Sequence, residues 1–166
     1  MDINREAFSD DGYLINQHKL EDVPYGLRTS KESGCGWIAA YNFLRAMGRD
    51  THWPYIHAAL SGRGIGRGML GTGPFRLYRF LKRQEFPALT YVFGRKKALR
   101  LTMDGLRAGM LLYRHRTGLH YVAFADAGAG QFRFFNAIPG QERHIESMES
   151  FLRTHTKVWP ILLMAV

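Results

Sequence analysis

The sequence predicts an α+β fold, and three observations carry that prediction. Helical spacing of apolar residues is concentrated in the first half of the chain, over 35–47, 53–61 and 74–84. Short β-rich runs crowd the second half, at 88–93, 109–116, 119–125, 131–137 and 158–166. The runs at 119 and 131 are joined by "DAGAG", a glycine-containing hairpin turn that makes the neighbouring strands antiparallel. Helices followed by antiparallel strands form the α+β pattern.

Each element has a local reason. Residues 1–33 are polar and mixed, and are expected to lie as an extended arm over the surface. The run "CGWIAAYNFLRAM" (35–47) is a helix whose only polar stripe is Asn42, Arg45 and, one turn on, Arg49, so most of its circumference is expected to be buried. Ser30 or Ser33 is expected to cap it. "WPYIHAALS" (53–61) and "PFRLYRFLKRQ" (74–84) each carry proline in the first turn, where its missing N–H costs nothing. Between them runs a glycine-dense loop, 62–74. Its "GRGMLG" (66–71) fits G-x-G-x-x-G but follows a helix rather than a strand, so it does not predict a dinucleotide site. Arg63 and Arg67 are read there as surface residues. Further short helices are expected over 97–107 and 147–153.

Composition sets the outer bounds. The 166 residues are 46% hydrophobic, enough for a packed core, and their length fits one domain spanning 1–166. No apolar run is long enough to span a membrane. The opening "MDINREAFSDDGYLINQ" lacks a basic-then-apolar signal pattern, so no Sec export is expected. One cysteine cannot form an internal disulfide, and a reducing cytoplasm is the expected location. The net charge of +9 suits an anionic partner, yet there is no aromatic RNP run, zinc spacing or heptad to supply a site. No nucleic-acid partner is therefore expected.

The chemistry-bearing residues are Cys35, His120 and Asn136. Cys35 opens the first long helix, where the macrodipole favours thiolate. With the 119–137 hairpin centred on Gly128, His120 and Asn136 stand directly opposite, their Cβ atoms roughly 5 Å apart. The Asn136 carboxamide oxygen is then expected to accept one ring N–H of His120, leaving the other nitrogen to take the thiol proton. A protonated His120 would lower the thiol pKa further. Taken singly, Cys35 reads equally well as packing, His120 as a structural histidine and Asn136 as a turn residue. Only the combination points to a thiol nucleophile.

"SGCGWIAAYNFL" resembles the nucleophile helix of papain-like cysteine peptidases, most closely the bacteriocin-processing (C39-like) group. "GLHYVAFADAGAGQFRFFNAI" resembles that group's histidine strand, hairpin and following strand, and "GTGPFRLYRFLKRQEFP" its intervening turn and helix. The resemblance implies a papain-like α+β fold, with the N-terminal nucleophile helix packed on a C-terminal antiparallel sheet. It implies Cys35 as nucleophile, His120 as base and acid, and Asn136 as the orienting residue, acting on a peptide or protein substrate. The family's oxyanion glutamine lies six residues before the cysteine, where this chain has Thr29. The nearest upstream glutamine, Gln17, is far off, and Tyr25, Arg28 or Ser30 stand as possible replacements. The group's usual aspartate is Asn136 here, as in papain.

The expected function is therefore a thiol-dependent hydrolase, a cysteine peptidase. A peptide-binding module of the same fold with a weak or inactive site is the alternative, favoured by the missing glutamine. Another acyl-transfer enzyme of transglutaminase or deamidase type is a further one. No cofactor is expected. His52 and His57 are five apart, and His115, His144 and His155 have no partners at ligand spacing, so no metal site is expected either.

Overall fold

The computed structural model describes residues 3–61, 71–86, 89–115, 118–156 and 158–166. The elements are β1 (Pro24–Tyr25), β2 (Arg28–Thr29), α1 (Ser30–Ser33), α2 (Cys35–Ala46), α3 (Trp53–Leu60), α4 (Pro74–Lys82), β3 (Thr90–Phe93), α5 (Arg95–Met103), β4 (Ala108–His115), β5 (Gly118–Gly128), β6 (Gln131–Phe135), β7 (His144–Ser147), α6 (Met148–His155) and β8 (Val158–Ala165). β1 and β2 form a small ribbon. The rest form an antiparallel six-stranded sheet in the order β3-β8-β4-β5-β6-β7. The α+β class and the antiparallel sheet are as the sequence predicts. No helix among the described residues is long and apolar enough to cross a membrane.

The central strands are buried on both faces, and their alternation sorts two cores. Met110, Leu112, Tyr121, Ala123, Phe135, Leu162 and Met164 face one side, where α2, α3 and α4 contribute Trp37, Ile38, Phe43, Ile56, Leu60 and Leu77. Leu111, Tyr113, Val122, Phe124, Phe134 and Leu163 face the other side, where α6 supplies Met148, Phe151 and Leu152. Strands covered twice read as nearly continuous apolar runs. That is why the four central runs are plain in the sequence. β7, "HIES", is a half-exposed edge strand with no such signal.

The first 33 residues are not an extended arm. They hold two 3-10 turns (Arg5–Ala7 and Gln17–Lys19), the β1–β2 ribbon and α1, and they bury Leu14, Leu20, Val23 and Tyr25. The polar stripe of α2 is what holds this segment. The buried Asn42 accepts from the Leu14 N–H at Oδ1 (2.8 Å) and donates from Nδ2 to the Leu14 carbonyl (2.7 Å). Arg45 donates twice to the Asp11 carbonyl (3.0 and 2.8 Å), and Tyr41 Oη donates to the Gly12 carbonyl (2.9 Å). From the sheet, the Tyr13 ring stacks on Phe135 at 4.1 Å and Arg133 pairs with Asp11.

The expected serine cap on α2 is also absent. Gly34 occupies the N-cap position without a side-chain bond, and the Ser30 hydroxyl instead accepts from Trp37 Nε1 at 3.0 Å. The glycine-rich "GRGMLG" stretch, apart from Gly71, and its Arg67, with Arg63 before it, lie outside the described residues.

Two outcomes test this docking. Asn42→Leu keeps an apolar side chain of similar size but strands two buried backbone groups on Leu14. It is expected to lower unfolding free energy by about 2–4 kcal/mol in urea titration. The Arg133 guanidinium holds the Asp11 carboxyl down to about 2 against an ordinary 3.8. A carboxylate with a depressed folded-state pKa stabilises above its unfolded value and loses that contribution as pH falls through the folded one. The stability gap between the native protein and Asp11→Asn is therefore expected to be full above pH 3.8 and to close as pH falls toward about 2, as thermal melts across that range check.

Candidate functional site

Cys35 is the first residue of α2, and the helix can approach the site closely because the next residue is glycine. A Cβ on Gly36 would lie 2.6 Å from both Cβ and Oγ1 of Thr72. That threonine is buried and fixed by a hydrogen bond with Tyr25 Oη, whose hydroxyl also donates to the Leu60 carbonyl at 3.2 Å. Tyr25 is thus used in packing, Ser30 in holding Trp37, and neither lines the cleft.

The same end of the sheet supplies His120. His120 stands two residues into β5 and pairs in the ladder with Tyr113, whose ring meets it edge-on at 5.8 Å. Its Nε2 lies 2.9 Å from the backbone carbonyl of Asn136. A carbonyl only accepts, so Nε2 carries the proton there, and a neutral ring then keeps its lone pair on Nδ1. Cys35, His120 and Asn136 all line one cleft of about 370 Å³, together with Gln17, Lys31 and Tyr113.

The three residues do share a cleft, but the details expected for Asn136 are corrected. The hairpin does not centre on Gly128. Its turn residues are Ala129 and Gly130, both at positive φ, as a tight two-residue hairpin turn demands, and a bulge between Asp126 and Gly128 precedes them. Ala123 therefore pairs with Phe135 and Phe124 with Phe134, two places away from the expected register. Asn136 lies just past the end of β6 at φ 62°, a conformation asparagine tolerates better than most residues. This turn aims its carbonyl, not its carboxamide, at His120.

The carboxamide bonds to Gln17. Asn136 Oδ1 accepts from the Gln17 backbone N–H (3.0 Å), and Asn136 Nδ2 donates to Gln17 Oε1 (3.1 Å). Gln17 Nε2 in turn donates to the Lys31 carbonyl at 2.9 Å. The glutamine that looked remote in sequence is thus in the cleft, carried there by the docked N-terminal segment. No spacing rule finds it, because it comes from outside α2 and the loop that leads into it. The clue available in sequence is the apolar Leu14, Ile15 and Leu20 around it, which mark a buried segment rather than a surface arm.

The electrostatics also differ from the expected ion pair. Burial pushes the Cys35 thiol above its ordinary range, against the pull of the backbone N–H groups of Tyr121, Gly36 and Cys35 itself. Two tyrosines beside it, Tyr113 and Tyr121, are likewise pushed up, chiefly by burial. A thiol shifted upward is the harder one to ionise. Among the described residues the arrangement provides a half-buried thiol, an oriented imidazole and a carboxamide around one cleft.

No family model matches the chain, and no curated protein matches it.

The direction of the thiol shift has a direct consequence. Iodoacetamide is expected to label Cys35 more slowly in the folded protein than in the urea-unfolded chain at neutral pH. Labelling is expected to accelerate only as pH rises beyond the ordinary thiol range, read by intact mass against time.

Proposed function

We propose that the protein is a thiol-dependent hydrolase of papain-like architecture, a cysteine peptidase acting on a peptide or protein. The observation that carries this reading is the meeting, in one cleft, of the Cys35 thiol and a His120 ring whose Nε2–H is held by the Asn136 carbonyl. The resemblance of "SGCGWIAAYNFL" and "GLHYVAFADAGAGQFRFFNAI" to the C39-like group supports the same reading.

In this mechanism Nδ1 of His120 takes the thiol proton as Sγ attacks the scissile carbonyl carbon. The upward shift of the thiol favours this general-base transfer over a preformed ion pair. The developing oxyanion is met by the Cys35 N–H at the helix start. Gln17 lines the same cleft, its Nε2 carrying a second hydrogen beyond the one given to Lys31. His120 then returns the proton to the leaving amine, and water hydrolyses the thioester with His120 again as base. Asn136 acts as a positioning residue in two ways: its carbonyl fixes the ring, and its carboxamide fixes Gln17. Lys31, Glu32 and His18 at the cleft rim present both charge signs to a bound chain.

A second reading has its own support. The raised thiol pKa and a Gln17 amide engaged at both its oxygen and its nitrogen suit a peptide-binding module with a weak or inactive site.

The deciding experiment incubates the protein with a proteome-derived peptide mixture and reads new termini by mass spectrometry. Cleavage is expected with the native chain and none with Cys35→Ala. His120→Ala is expected to lower the rate about 10²–10⁴-fold. Asn136→Ala is expected to cost less, because nucleophile and base remain. Cleavage that survives in Cys35→Ala rules out the thiol mechanism. Peptide retention without cleavage by the native chain decides for the binding module.

A further inference from the structure

A second cluster of chemistry-bearing side chains lies where β7 meets α6. His144 and Glu146 are two apart on β7 and so share a face, while His155 closes α6. His144 Nε2 is 2.5 Å from Glu146 Oε1, and His155 Nε2 is 3.1 Å from the same oxygen. The three donor atoms all lie within 4.8 Å of one another, the one such group of three among the described residues. The expectation that His144 and His155 stand without partners is therefore corrected. Their partner is Glu146, on an edge strand that the sequence did not reveal.

The proton positions make the cluster more than a surface ion pair. His144 Nδ1 lies 3.1 Å from Gln141 Oε1, a side-chain carbonyl that accepts, so Nδ1 carries a hydrogen. In a neutral imidazole the other nitrogen, Nε2, then presents a lone pair. That lone pair faces a carboxylate oxygen at 2.5 Å, and two lone pairs do not sit at that distance without positive charge between them. A cation bridging the two satisfies both lone pairs. Two imidazole nitrogens and one carboxylate oxygen are a common three-ligand set for zinc, and a carbonyl on the far nitrogen of a ligating histidine is the usual way its tautomer is fixed.

We propose that His144, Glu146 and His155 bind one divalent transition-metal ion of the zinc class. A tetrahedral ion about 2.0–2.1 Å from each donor sets them roughly 3.4 Å apart. The 3.1 Å pair nearly meets this already, and the 2.5 Å pair opens by about an ångström. The rings are held by packing: His144 meets Phe134 and Phe151 edge-on at 5.9 and 6.1 Å, and His155 lies over Phe151 at 4.7 Å. His155 also lines the cleft that contains Cys35, so the ion borders that cleft. The ion site does not depend on the thiol mechanism.

Cys35 and His120 are themselves potential ligands, so the test uses the full chain carrying Cys35→Ala. Zinc chloride is titrated against a chromophoric chelator, with circular dichroism confirming the fold of each variant. One zinc per chain is expected. Affinity is expected to fall at least about tenfold in His144→Ala, Glu146→Gln and His155→Ala, and by about tenfold in Gln141→Ala, which touches only the far nitrogen. Cobalt(II) in place of zinc is expected to give the strong visible absorption of a tetrahedral site. If His144→Ala or His155→Ala fails to fold, the near-isosteric Glu146→Gln, which retains hydrogen-bonding capacity toward both rings, decides alone. Failure of the Cys35→Ala chain to take up zinc, or uptake as tight with Glu146→Gln, overturns the proposal.

Discussion

The carboxamide of Asn42, closing both backbone bonds of Leu14, is the contact on which the rest of the molecule depends. It is fully buried on α2, and it converts a polar N-terminal segment into part of the core. Without it two backbone groups lose their partners away from water, an expense that folded chains almost never accept. With it, Leu14, Leu20 and Val23 pack beneath the segment, and Gln17 arrives beside Asn136. One side chain therefore links the packing of α2 to the composition of the cleft at its N-terminal end.

The cleft sits where the two sheet faces meet. α2 covers one face, α5 and α6 the other, and at the end of β4, β5 and β6 both coverings give out. Cys35 reaches this edge from the first side. His120, by strand alternation, belongs with Tyr113 and Val122 on the second. A backbone turn at positive φ then lets Asn136 serve both, with its carbonyl toward the imidazole and its amide toward the N-terminal segment. Burial at this junction is what raises the thiol pKa. The same apolar surroundings that pack Cys35 against Tyr121 and Tyr113 remove the water that would solvate a thiolate.

How much of this was legible followed from how each signal is encoded. The α2 run and the four central strands are marked by buried apolar residues on most of their surface, and such runs survive any error of a residue or two. That Cys35, His120 and Asn136 come near one another is legible because helix start, strand start and hairpin proximity are local properties. The hydrogen bonds between them were not legible. They depend on whether a turn uses Ala129 and Gly130 or centres on Gly128, and on a single backbone torsion at residue 136. Gln17, β7 and the His144–Glu146–His155 group were missed for a related reason. Each joins parts of the chain through an edge strand or a coil segment, where no periodicity marks which residues face inward.

The bonds between Gln17 and Asn136 span 119 positions, and the pairing of Arg133 with Asp11 spans 122. Contacts of such separation form late, because the chain between them must first be ordered. Cys35 and the helix beneath it are local and form early. A partly folded or truncated chain therefore displays the thiol without the oriented imidazole or the amide beside it. On this order of assembly Cys35 gains His120, Asn136 and Gln17 as cleft neighbours only after β5 and β6 have paired and the N-terminal segment has docked on them.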